Sequence, residues 1–202
     1  ELDVSIASLT NVLCNGESTG SISIAASGGT PNYSYSWLPF GSNISTANNL
    51  SVGSYTIIIS DQNNCGKSIS AALTQPSILL SSITNPVNPA CYCLKGSATV
   101  NATGGTVPYS YSWSTDAVLN ASTENIPVGT HTITVTDANN CQTSNTVTLT
   151  EPTQLITIAG PNDTVCVGQT ATLSATATGG AGNYYYAWQP TSVINAGSIN
   201  LI

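Results

Sequence analysis

Hydrophobic and polar residues alternate along most of this chain with a period of two. In Tyr33-Ser34-Tyr35-Ser36-Trp37 three aromatics fall on one side and two serines on the other. Gly20-Ser21-Ile22-Ser23-Ile24 repeats the pattern, as do Tyr55, Ile57 and Ile59, and later His131, Ile133 and Val135. Such alternation is the mark of a strand with one buried face, and these runs are bounded by clusters of Gly, Pro, Asn and Ser. No segment carries helical spacing. The pattern predicts an all-β chain with six or seven short strands per 76 or so residues.

The period of 76 comes from an internal repeat. Gly28-Gly29-Thr30-Pro31 through Trp37 returns 76 residues later as Gly104-Gly105-Thr106-Val107 through Trp113, and in looser form as Gly179-Gly180 through Trp188. Val52-Gly53-Ser54-Tyr55-Thr56-Ile57 matches Val128-Gly129-Thr130-His131-Thr132-Ile133, and Thr74-Gln75-Pro76 matches Thr150-Glu151-Pro152. These matches place three tandem domains at 1–76, 77–152 and 153–202. The third lacks the counterparts of the 53–60 strand and of the strand after it, which predicts a natural chain continuing past residue 202. The size and rhythm predict immunoglobulin-like β-sandwiches with an inward Trp on the third strand. Short Pro-containing joints at Pro76 and Pro152 predict semi-rigid links. An odd strand number would put each domain's ends at opposite poles and extend the copies as an elongated rod.

Charge changes the functional picture. Only 5% of residues are charged, and the basic ones are Lys67 and Lys95 alone, with a net charge of −7. Nucleic acid and anionic membrane surfaces are excluded as partners, because both need clustered Lys and Arg. No apolar run approaches the roughly 20 residues that span a bilayer, so membrane insertion is not expected. One His and no Arg leave few parts for acid–base catalysis, and no Ser sits in a Gly-x-Ser-x-Gly elbow or beside a base. The chain is expected to be non-enzymatic and to need no cofactor.

Six cysteines in a Thr-rich chain point to an oxidising, extracellular setting. Cys14 and Cys65 frame the first domain, and Cys91 and Cys141 hold the matching places in the second. The expected disulfides are therefore Cys14–Cys65 and Cys91–Cys141. Cys93 is extra and competes with Cys91 for Cys141, while Cys166 is expected to pair beyond residue 202. Zinc at the Cys-Tyr-Cys pair is disfavoured, since no other soft ligand lies near.

Other residues carry a functional reading beside a structural one. His131 takes the place of Tyr55 in the repeat, which favours packing over metal binding or catalysis. Asp61 with Asn63, and Asp137 with Asn139, have the spacing that opens a calcium loop. Gly66 meets the sixth position of an EF-hand loop, but Ala72 stands at the twelfth and Gln142 at the sixth of the second domain, and Asp and Asn also favour turns by bonding their own backbone. The recurring Tyr35 and Trp37, Tyr111 and Trp113, and Tyr186 and Trp188 read as core aromatics before they read as a sugar-stacking platform.

The train Cys14-Asn15-Gly16, Gly20 to Ile24, Gly28-Gly29-Thr30-Pro31, Tyr33 to Trp37, Val52 to Ile57, Asp61-Gln62-Asn63-Asn64-Cys65 and Thr74-Gln75-Pro76 resembles the SprB repeat of Bacteroidetes gliding-motility adhesins. It is similar, more loosely, to polycystic-kidney-disease-type immunoglobulin-like domains. The likeness covers residues 1–152. The second domain departs from it with Cys91-Tyr92-Cys93 in place of Cys14-Asn15-Gly16, and with His131 in place of Tyr55. The resemblance implies a type IX secretion substrate displayed outside the outer membrane, in which such repeats form an adhesive stalk. It implies neighbouring repeats and the secretion or gliding machinery as partners, with surface polysaccharide a further one. Asp163-Thr164-Val165 resembles the O-glycan acceptor of that group, with Thr164 as the modified residue. The alternatives are a glycan-binding module of a large secreted enzyme and a filament or surface-layer subunit.

Overall fold

The computed structural model describes residues 1–39, 41–114 and 121–188. All regular structure among them is β. In the first repeat the strands are β1 (Asp3–Thr10), β2 (Gly20–Ser27), β3 (Ser34–Leu38), β4 (Thr46–Leu50), β5 (Gly53–Ser60) and β6 (Gly66–Leu73). They form two antiparallel sheets, ordered β1-β2-β4 and β3-β5-β6. The alternation seen in the sequence becomes register here. Tyr35 lies opposite Ile59 and Trp37 opposite Ile57, so the apolar face of β3 meets that of β5 across the ladder.

Trp37, Ile22, Ile57, Ile59 and Leu50 are fully buried, with Ile24, Tyr55 and Leu73 close behind. Each such large side chain contributes roughly 1.5–3 kcal/mol by leaving water, in a domain size where a core alone is marginal. The Trp37 indole N–H donates to the Ile44 carbonyl at 2.8 Å, so its one polar group is satisfied. Tyr35 flanks the core half-buried.

The second repeat follows the same order with β7 (Leu80–Val87), β8 (Gly96–Thr103), β9 (Ser110–Trp113), β10 (Ser122–Ile126), β11 (Gly129–Thr136) and β12 (Gln142–Leu149). Its sheets are ordered β7-β8-β10 and β9-β11-β12. Trp113, Ile133, Val135, Val100 and Leu149 are buried, and Tyr111 is half-buried. The last stretch contributes β13 (Thr153–Ala159) paired with β14 (Ala175–Gly180). Leu155 is 54% exposed where its counterpart Leu79 is 8% exposed. Tyr186 and Trp188 are half-buried outside any strand, and residues 189–202 lie outside the described residues. Contacts divide the chain into two compact units, one of residues 1–83, 100–121 and 132–145, the other of 84–99, 122–131 and 146–202.

Six strands make up the first repeat, yet its ends lie at opposite poles without an odd count. β3 and β4 are consecutive but lie in different sheets, and this crossover lets β1 and β6 finish side by side. The Val12 N–H donates to the Thr74 carbonyl at 3.0 Å, while Gly29 N–H donates to the Glu1 carbonyl at the other pole.

The double glycine of each repeat has a steric cause. Gly28, Gly104 and Gly179 all have positive φ, and a Cβ there would stand 1.9–2.1 Å from the carbonyl oxygen of Glu1, Ile78 or Gln154. The Tyr five residues on closes the turn by donating its hydroxyl to the carbonyl of that glycine: Tyr33 to Gly28, Tyr109 to Gly104 and Tyr184 to Gly179.

Candidate functional site

The residues singled out for chemistry gather at the two poles of the repeats. At one pole, Asp61 closes the turn between β5 and β6. Its Oδ2 accepts from the Thr30 N–H at 3.0 Å, and its Oδ1 accepts from Asn63 at 2.9 Å and Cys65 at 2.8 Å. Asp137 does the same with Thr106, Asn139 and Cys141, each at 2.9 Å. Both aspartates are buried. The N–H groups of Thr30 and then Cys65 hold the Asp61 carboxyl below its ordinary range, against the effect of burial. The turn sequence explains the geometry. Asn64 and Asn140 take positive φ and return their N–H to the aspartate's own carbonyl. Both calcium candidates thus spend their carboxylate oxygens on backbone donors, and no group of three or more His, Cys, Asp or Glu among the described residues is arranged to hold a metal ion.

At the other pole stands a tight cysteine turn. The carbonyl of Cys14 accepts from the Glu17 N–H, that of Cys91 from Leu94 and that of Cys166 from Gln169. The third residue of each turn has positive φ: Gly16, Cys93 and Gly168. Cys93 therefore replaces a turn glycine, and Cys91 is the counterpart of Cys14. The turn is held from below by the residue before the joint proline. Gly16 N–H donates to Gln75 Oε1 at 2.9 Å, and Cys93 N–H to Glu151 Oε2 at 2.7 Å.

Between the first two repeats these poles meet. Cys14 is bonded to Cys141, with a Cα–Cα distance of 5.7 Å. Asn139 donates its side-chain amide both to Thr106 Oγ1 within its own turn and to the Leu13 carbonyl of the preceding repeat, at 3.0 and 2.9 Å. This corrects the expected pairs Cys14–Cys65 and Cys91–Cys141: Cys65, Cys91, Cys93 and Cys166 are exposed free thiols. The reason is distance along a strand. Cys65 precedes the eight residues of β6, whereas the Cys14 turn is bonded to Gln75 and Pro76 beyond its end. Eight residues of strand span roughly 27 Å, while a disulfide needs Cα atoms within about 7 Å. Cys141 and Cys91 flank β12 in the same way. A shallow groove beside the bridge, lined by Val12, Leu13, Gln75, Thr106 and Asn139 among others, contains no ionisable side chain.

His131 occupies the Tyr55 position in full. Its Nε2 lies 2.9 Å from the Pro127 carbonyl, just as the Tyr55 hydroxyl lies 2.9 Å from that of Ser51. The Nε2–H tautomer is the one that donates there. Asp163 and Thr164 are exposed outside regular structure.

The model of the SprB repeat family matches residues 6–41 and 83–118. Each match runs from the first strand of a repeat through its cysteine turn, double glycine and Trp. No curated protein matches the chain. Among solved structures, a chain from "Structural basis for Dscam isoform specificity" is similar at 15% identity with a TM-score of 0.33, covering 73% of this chain and 46% of that one.

Proposed function

We propose that this chain is a non-enzymatic segment of an extracellular bacterial surface protein, built from repeats at 1–76, 77–152 and 153–202 that act as a spacer with adhesive capacity. The observation that carries this reading is the joint between repeats one and two. Asp61, Asp137, Asn63 and Asn139 hold turns, and Asn139 and the Cys14 turn also join one repeat to the next. Two SprB-type repeats support display at the cell surface, type IX export and a place in gliding or attachment. A disulfide fits the oxidising exterior, and among the described residues no helix is long and apolar enough to cross a membrane. Adhesion in such a molecule comes from many weak contacts acting together, with surface polysaccharide as the matching partner, and Thr164 is an accessible site for an O-glycan.

The test is antibody labelling of intact source cells with serum raised against the full chain. The reading expects labelling that disappears after protease shaving of living cells. Labelling that appears only after lysis would overturn it. Saturable binding of the chain to one sugar on a glycan array, together with a catalytic domain on the same polypeptide, would favour the accessory-module alternative.

A further inference from the structure

We propose that Cys65, set beside Asn63 and Thr30, is a cross-linking socket for the cysteine turn of a like repeat lying before it in a longer chain, and that the Cys91 turn is the matching plug. The proposal rests on the tandem-repeat reading and is independent of adhesion; a chain that sticks to no surface leaves it intact.

One such joint is visible, and both halves of another stand open. The visible socket consists of Asp137, Thr106, Asn139 and Cys141. The open one consists of Asp61, Thr30, Asn63 and Cys65, and it is already formed. The carboxylate bonds agree to within 0.1 Å between the two. Asn63 donates to Thr30 Oγ1 at 2.9 Å as Asn139 does to Thr106 Oγ1 at 3.0 Å. The difference lies in what covers them. Asn139 and Cys141 are half-buried, and they hold the Leu13 carbonyl and the Cys14 sulfur. Asn63 and Cys65 are exposed, and among the described residues the Asn63 side-chain amide makes only the inner bond.

The plug is equally prepared. In the visible joint it is Leu13-Cys14 on a turn closed by the 3.2 Å bond from Glu17 N–H to the Cys14 carbonyl and braced by Gln75. Ala90-Cys91 stands on a turn closed by the 3.2 Å bond from Leu94 N–H to the Cys91 carbonyl and braced by Glu151. Cys91 is exposed and unbridged. Because Cys93 sits at the turn glycine's place, the equivalence selects Cys91 as the bonding sulfur. In the visible joint the plug belongs to the earlier repeat and the socket to the later one, which sets the order of the proposed one.

Bond formation needs an oxidant, here a low-molecular-weight disulfide such as oxidised glutathione. The Cys91 and Cys65 thiols together give up two electrons and two protons and form one S–S bond. The small disulfide takes them up and leaves as two thiols.

The experiment uses the full chain with a copy of residues 1–152 fused in frame before residue 1, so that Pro152 precedes Glu1 as Pro76 precedes Ser77. In the downstream copy Cys91→Ser, Cys93→Ser and Cys166→Ser remove every exposed free thiol of that copy except Cys65, which leaves the upstream cysteine turn as the prepared source of sulfur. After equilibration in a glutathione redox buffer, alkylation and digestion without reduction, mass spectrometry reads which thiols were protected. The expected result is a peptide linking upstream Cys91 to downstream Cys65, with downstream Cys65 lost from the alkylated pool. Upstream Cys65, which has no repeat before it, stays alkylated. Changing upstream Cys91→Ser should return downstream Cys65 to the alkylated pool, while upstream Cys93→Gly should not. Full alkylation of downstream Cys65 while each copy forms its Cys14–Cys141 bridge would overturn the proposal. A link through Cys93 would overturn the choice of plug, and absence of Cys14–Cys141 would remove the template on which both rest.

Discussion

Changing Asp137 to Asn tests the turn on which the joint is built. The carboxylate accepts three backbone N–H groups, from Thr106 on Oδ2 and from Asn139 and Cys141 on Oδ1. An amide in the same place can keep its oxygen toward Asn139 and Cys141. Its NH2 then faces the Thr106 N–H, donor against donor. The opposite orientation loses two bonds in place of one and is worse. The loss is therefore one hydrogen bond to a charged acceptor in a buried setting, about 1.5–3 kcal/mol. For a unit of this size that lowers the melting temperature by roughly 10 °C, which is large against a total stability of about 5–15 kcal/mol. Asp137→Ala removes all three bonds and should cost more. Urea denaturation of the full chain, followed by tryptophan fluorescence, reads the difference. A change below about 0.5 kcal/mol, the usual size for a surface substitution, would refute the reasoning. The same apparatus distinguishes a calcium ligand from a turn acceptor. Melting should be identical in calcium and in chelator, and a transition that moved with calcium would assign the carboxylate to the ion.

Three further outcomes rest on the same geometry. Trp37→Ala should cost about 3–5 kcal/mol, because the ring is fully buried and its N–H serves the Ile44 carbonyl; the half-buried Tyr35 should cost less when truncated, and equal losses in denaturant would count against the core assignment. Asp61 has its carboxyl lowered by the donors of Thr30 and Cys65, so its contribution is present above the unfolded value of about 3.9 and is lost as pH falls through the lower folded value. Wild-type melting should therefore drop on acidification below about pH 4, less steeply in Asp61→Asn; parallel curves would contradict this. For a bridge of sequence separation 127, the chain-entropy relation sets about 5 kcal/mol as the most that Cys14→Ser can lose. Reductant should lower the wild-type urea midpoint and leave that variant unmoved.

Much of this architecture is legible in the residues alone. The alternation of Tyr35 and Trp37, and of Ile57 and Ile59, places one face of each strand in the core because successive side chains of a regular strand point to opposite faces. Gly28-Gly29 and Tyr33 form one device, and the repeat exposes it since all three copies keep the spacing. The substitution of His131 for Tyr55 is also readable, although the shared bond to the carbonyl four residues earlier is not. The disulfide is where periodicity runs out. Cys14 and Cys65 occupy fixed places in the repeat, and pairing them within it requires knowing which pole each loop reaches. That depends on the crossover from β3 to β4 between sheets, a long-range feature on which period-two patterns are silent. Cys93 is hidden for a related reason. It looks like a spare thiol until its positive φ shows it standing where Gly16 and Gly168 stand.

The bridge can be read from one digest. Lys67 and Lys95 are the only Lys or Arg residues, so trypsin divides the chain into peptides 1–67, 68–95 and 96–202. Without reduction, and with free thiols alkylated, peptide 1–67 should be joined to peptide 96–202 through Cys14 and Cys141, while peptide 68–95 runs alone with Cys91 and Cys93 both alkylated. A peptide 1–67 closed on itself through Cys14 and Cys65, with peptide 68–95 joined to 96–202, would return each bridge to its own repeat and contradict the joint between repeats one and two.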